Sequence, residues 1–177
     1  RHTLLNNIYK NLYPESFDNN TENDLIYCGN YLLTDESPFI GLDMGKFILS
    51  PTKTYLPIMK EIFQYYLDDI HGIIHCTGGG QIKVKRFINN LRIIKNNLFS
   101  VPALFEMIKT SANIDWKQMY EIFNMGHRLE LYVPADIVSE IIAISEKYNV
   151  KAKQIGYVEN NDTTEIIIKS EHGVFVY

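Results

Sequence analysis

Apolar positions along this chain recur with two periods, near 3.6 and near 2, and the exchange between them predicts both helices and strands. Near the start, Leu4, Leu5, Ile8 and Leu12 share one helical face, and Pro14 closes that pattern. Residues 15–45 are polar and turn-rich and read as a long connection with one or two short strands, one of them at 30–34. Pro51 then suits a helix start, and Tyr55, Ile58, Met59, Ile62 and Tyr66 return at helical spacing. A buried strand over 70–77 runs into Gly78-Gly79-Gly80, followed by a helix over 82–89 and a strand over 91–95. Pro102 opens a short helix to Lys109, and Asp115 can cap another through Met119 and Phe123.

Clean alternation over 127–133 sends Leu129, Leu131 and Val133 to one face and Arg128, Glu130 and Tyr132 to the other, the mark of a half-buried strand. Ile137, Ile141, Ile144 and Tyr148 outline an amphipathic helix. Strands over 152–158, 164–169 and 174–177 finish the chain, the last two around a Glu171-His172-Gly173 turn. The expected fold class is α+β, a mixed β-sheet covered by helices. The expected organisation is one domain over 1–177: a helix and polar connection over 1–50, then a compact sheet-and-helix core over 51–177.

Composition narrows the function. The 177 residues are 46% hydrophobic, with 17 Lys and Arg against 21 Asp and Glu. A net charge of −4 argues against general nucleic-acid binding, which rests on neutralising phosphates with basic residues. No apolar run is long enough to span a membrane as a helix. Cys28 and Cys76 cannot build a disulfide framework, which points to a reducing cytoplasm.

The strongest local feature is His75-Cys76-Thr77-Gly78-Gly79-Gly80, a strand entering a glycine loop. Such a loop lets backbone N–H groups close on an anion. A tight turn that only needs positive φ angles explains the triplet equally well. No Gly-Lys-Ser/Thr follows, and no G-x-G-x-x-G is present. Charge tips the balance toward an anion site: residues 70–105 hold Lys83, Lys85, Arg86, Arg92 and Lys95 and no acidic residue. His71 and His75 share a strand face but stand about 13 Å apart, too far to ligate one metal. No metal site is expected. Cys76 points to the opposite face and reads as a buried structural thiol. His75 is either a ligand contact or a satisfied core histidine. Trp116, Tyr120 and Phe123 at helical spacing read as core, and Asn124-Met125-Gly126 as a helix C-cap.

Three motifs in order carry a family resemblance: Ser50-Pro51-Thr52-Lys53-Thr54-Tyr55, His75-Cys76-Thr77-Gly78-Gly79-Gly80, and Met119-Tyr120-Glu121-Ile122-Phe123-Asn124-Met125-Gly126. With Ile155-Gly156-Tyr157-Val158 near the end, the chain resembles the C-terminal domain of the aminoimidazole ribonucleotide synthase (phosphoribosylformylglycinamidine cyclo-ligase) family. The resemblance covers nearly the whole chain. It implies an ATP-dependent ring closure of formylglycinamidine ribonucleotide in purine biosynthesis, with ATP and Mg²⁺ held mainly by an N-terminal domain that is absent here. The fragment alone would be inactive, and the full-length protein a homodimer acting on a phosphorylated small molecule. By resemblance, Thr77, Gly78, Gly79, Gly80, Asn124 and Gly126 contact substrate or phosphate, and His75 is the candidate catalytic residue.

Two departures stand out. Lys83, Val84 and Lys85 replace the family's Glu-Asn and proline after the glycines, and Arg128 stands where a second glycine is usual. They leave room for another superfamily member, such as formylglycinamidine ribonucleotide synthase, thiamine-monophosphate kinase or selenophosphate synthase, or for a non-catalytic phosphate-binding module.

Overall fold

The computed structural model describes residues 1–39 and 41–177. In chain order the helices are α1 (Tyr9–Leu12), α2 (Met44–Ile48), α3 (Leu56–Tyr66), α4 (Ala103–Ala112), α5 (Trp116–Ile122) and α6 (Val138–Lys147). The strands are β1 (Gly72–His75), β2 (Leu91–Lys95), β3 (Leu129–Tyr132), β4 (Gly156–Asn160), β5 (Glu165–Ser170) and β6 (Gly173–Val176). The class is α+β, as the periodicities predict. Contacts gather into two units: Arg1–Thr52 with Val101–Asp115, and Lys53–Ser100 with Trp116–Tyr177.

In the first unit the predicted N-terminal helix shrinks to the single turn of α1. Leu5 and Asn6 instead bridge to Tyr31 and Gly29 in parallel. Those backbone bonds turn the neighbouring side chains to opposite sides. Leu5 packs with Tyr9, Ile26 and Tyr27, and Leu4 with Met44 and Phe47. Ile8 and Leu12, expected on the same face, are exposed. The stretch around 30–34 forms bridges and a turn rather than a strand. Asp43 caps α2 by accepting from the Lys46 N–H at 2.7 Å, and Leu104, Met107 and Ile108 of α4 pack against the Leu4 cluster.

In the second unit α3 starts at Leu56 rather than Pro51, with Pro57 in its first turn. Ile58 and Ile62 of α3 pack with Ile141 of α6 and with Leu131. The single sheet expected from the pattern is two sheets. A mixed one runs β4-β2-β5-β6, with β2 antiparallel to β4 and parallel to β5, and β1 pairs only with β3. The helix predicted at 82–89 is a 3₁₀ helix over Gly80–Phe87.

One polar cluster ties these pieces together. The Lys95 ammonium, at the end of β2, donates to the Gln81 carbonyl (2.6 Å), the Gln81 Oε1 (3.1 Å) and the Glu130 Oε1 (2.6 Å). Its three protons therefore meet three acceptors. Glu130 Oε2 accepts from the Tyr132 hydroxyl at 2.9 Å. Both charged side chains are out of solvent, Lys95 at 1% and Glu130 at 4% exposure. The alternation over 127–133 sets Glu130 on the face opposite Leu129 and Leu131, and that polar face is buried at Glu130. Alternation correctly separates two faces here, but the Glu130 face turns inward because Lys95 waits there. Removing one partner from such a pair strands a buried charge, at about 3–5 kcal/mol. In urea titrations, Lys95→Met or Glu130→Leu alone should lose stability on that scale, whereas the double variant should recover most of it.

Candidate functional site: a glycine loop with two unpaired cations

β1 delivers His75 to the loop, and Thr77 N–H closes back on the His75 carbonyl at 2.8 Å. Gly78, Gly79 and Gly80 then take φ of +48°, +90° and +49°, a left-handed run that residues with a side chain resist. They do different jobs. A Cβ on Gly80 would sit 2.5 Å from the Phe123 carbonyl and 2.6 Å from that of Tyr120, so Gly80 seats the loop against the end of α5. A Cβ on Gly78 would meet nothing within 4 Å. Gly78 and Thr77 face solvent, and Gly80 is buried.

The five cations of 70–105 separate into three roles. Lys95 is spent on Glu130. Arg92 is held by Glu165 at 2.5 Å and Glu159 at 3.0 Å, which raise its pKa and fasten β2 to β5 and β4. Lys85 is exposed on the 3₁₀ helix. Lys83 and Arg86 turn to the loop. Lys83 Nζ donates to the His75 carbonyl at 2.9 Å and lies 3.5 Å from the Thr77 hydroxyl. Arg86 Nη2 would stand 3.7 Å from a Cβ on Gly79. Among the described residues neither has a carboxylate partner. The family departure at Lys83 is thus a built part of the loop.

Gln81, absent from the expected site residues, joins the loop to the second motif. Fully buried, it donates from Nε2 to the Asn124 carbonyl at 2.5 Å while Lys95 holds its Oε1. Asn124 Oδ1 accepts from Gly126 N–H at 3.0 Å, and Met125 and Gly126 both take positive φ. The Asn124 amide nitrogen has no partner among the described residues. Chain positions more than forty residues apart are therefore fixed side by side through one amide. A lone glutamine after a glycine triplet carries no sequence signal for this; only its burial does.

His75 is exposed, with Nδ1 3.4 Å from the Thr77 hydroxyl. Cys76 is buried, and burial followed by the Glu130 charge pushes its thiol up to about 12, so it is no nucleophile at neutral pH. Burial, then Glu130, likewise keeps the Tyr132 phenol protonated. Trp116 stacks face to face on His172 at 3.5 Å, and Tyr120 packs with Phe175, which makes them packing residues. Among the described residues no group of three or more His, Cys, Asp or Glu is placed to hold a metal ion, and no helix is long and apolar enough to cross a membrane.

Residues 41–169 match the family described as AIR synthase related protein, C-terminal domain. The chain is 31% identical over 134 residues to a phosphoribosylformylglycinamidine cyclo-ligase of Methanopyrus kandleri, covering 76% of this chain and 38% of that protein. It is 30% identical over 151 residues to one of Carboxydothermus hydrogenoformans, covering 81% and 42%. With one of Staphylococcus aureus it shares 32% over 158 residues, covering 82% and 40%. The chain spans about two fifths of the length of the curated relatives it matches.

His127 links this region to pH. Its Nε2 accepts from the Phe99 N–H at 3.0 Å, so the ring proton sits on Nδ1, buried without a partner among the described residues. Burial lowers its pKa to about 4, against a partial upward pull from Glu130. The unfolded chain takes up this proton near pH 6.5 and the folded chain only near 4, so stability falls as pH drops between those values. Between pH 7 and pH 5 the loss from this group is about 2 kcal/mol. In urea titrations at the two pH values, His127→Gln, which keeps an acceptor for Phe99, should remove most of that difference.

Proposed function

This chain belongs to the family of AIR synthase related proteins, as a C-terminal domain, and from that premise we propose that it is the C-terminal half of an ATP-dependent cyclo-ligase. The complete protein closes formylglycinamidine ribonucleotide to aminoimidazole ribonucleotide in purine biosynthesis. The observation that carries this reading is the left-handed backbone of Gly78 and Gly79, open to solvent at Gly78, flanked by Thr77, Lys83 and Arg86 and pinned by Gln81 to the Asn124 turn. The names of the relatives supply the reaction.

On this reading ATP transfers its γ-phosphoryl group to the formyl oxygen, leaving ADP. An amidine nitrogen then attacks the same carbon, and phosphate departs as the imidazole closes. The loop residues Thr77, Gly78 and Gly79, with the Asn124 amide and Gly126, hold the anionic substrate; Gly80 holds the loop. His75, exposed at the loop's edge, is proposed as the residue that exchanges a proton with bound substrate. ATP and Mg²⁺ are assigned mainly to an N-terminal domain of the complete protein, as the resemblance to the cyclo-ligases implies. The complete protein is proposed to be a cytoplasmic homodimer.

The complete protein should consume ATP when given formylglycinamidine ribonucleotide, and this chain alone should not. ATP consumption driven only by a different acceptor would sink the reading. Gly79→Leu should weaken binding of a phosphate ligand more than it lowers the melting temperature. Unchanged affinity in a folded variant would remove the loop from the site.

A further inference from the structure

We propose that Lys83 and Arg86 are specificity-determining residues that select a dianionic phosphate monoester at the glycine loop. This rests on the reading of the loop given above and names the side chains that supply its charge. Lys83 is not a free surface lysine. Its ammonium is fixed by the His75 carbonyl at 2.9 Å, with the Thr77 hydroxyl at 3.5 Å, which leaves at least one proton uncommitted.

Arg86 makes no hydrogen bond or ion pair among the described residues, so its whole guanidinium fork is available. Both residues converge on one piece of backbone. A Cβ placed on Gly79 would lie 3.6 Å from the Lys83 Cβ and 3.7 Å from the Arg86 Nη2, while the space beside Gly78 is open. Nothing acidic between residues 70 and 105 offsets them, and the other buried or paired cations of that stretch are already neutralised.

Two positive charges at one loop, neither with a carboxylate partner among the described residues, favour a counter-charge of about two. A phosphate monoester carries about −1.5 to −2 at neutral pH. A phosphodiester or a carboxylate carries only one negative charge and leaves one cation unmatched. The guanidinium supplies planar, two-pronged recognition of phosphate oxygens, and the ammonium a point charge. Exposed Thr77 adds a hydroxyl on the same side. A glycine at 79 keeps the backbone beside the Arg86 Nη2 free of a side chain.

The test is titration of the ¹⁵N-labelled 177-residue chain with ribose 5-phosphate, with ribose as the uncharged control. The amides of Gly78 and Gly79 should shift with the phosphate ester and not with ribose. Lys83→Gln and Arg86→Gln should each weaken binding about tenfold or more, while Lys83→Arg keeps most of it and Arg86→Lys, which keeps the charge and loses the fork, falls between. Melting temperatures of all four variants should stay near that of the parent chain, because neither side chain is buried. If the loop amides shift but both Gln variants bind as the parent does, this assignment is wrong and the loop reading survives. If ribose alone gives the same shifts, phosphate selection is wrong. If the loop amides of the parent chain do not move at all, the loop reading falls together with it.

Discussion

The buried Lys95–Glu130 pair is the constraint on which the second unit depends. A lysine and a glutamate with almost no solvent exposure are tolerated there because all three Lys95 protons meet Gln81 and Glu130, and each Glu130 oxygen accepts a bond, from Lys95 and from Tyr132. The pair joins β2 of the mixed sheet to β3 of the two-stranded one. Through Gln81 it reaches the 3₁₀ helix that follows the glycine loop, and through Gln81 again the Asn124 turn. The two sheets share no strand pairing, and the Lys95–Glu130 bond is a side-chain link between them.

That arrangement has a consequence for the loop. Lys95 fixes which end of the Gln81 amide is oxygen, and so directs Nε2 at Asn124. Gly80, lacking a Cβ, lets the loop sit directly against the carbonyls of Tyr120 and Phe123. The outward backbone at Gly78 and Gly79 is thereby presented on a rigid base, which is what preorganised recognition of a charged group requires. Positive charge near the loop is divided between structure and surface. Arg92 and Lys95 are consumed in holding strands, and Lys83 and Arg86 are left facing the glycines.

Membership of the family and the loop's geometry support one another without being the same argument. The match over residues 41–169 places the chain among C-terminal domains of AIR synthase related proteins. The geometry concerns this chain's own residues, and it gives Lys83 a defined place where the family's usual pattern differs. The polar stretch before the match also proves structured: Ile26 and Tyr27 form core with Leu5 and Tyr9.

By itself the sequence determined the α+β class, strand β2 to the residue, the approximate positions of β1, α6 and the C-terminal strands, and the glycine loop between β1 and the following helix. These are local properties: periodicity reports which residues share a face, and glycines and prolines report where the backbone must bend. Tertiary structure alone decided which face is inward. Leu4 and Leu5 looked helical, yet bridges to Gly29 and Tyr31 sent them into separate clusters. Glu130 lies on the polar face of an alternating strand, yet a lysine thirty-five residues away makes its burial tolerable. Gln81 carried no local signal at all. In each case the deciding partner is distant in sequence, and the free energy of burying a polar group depends on that partner rather than on its neighbours along the chain.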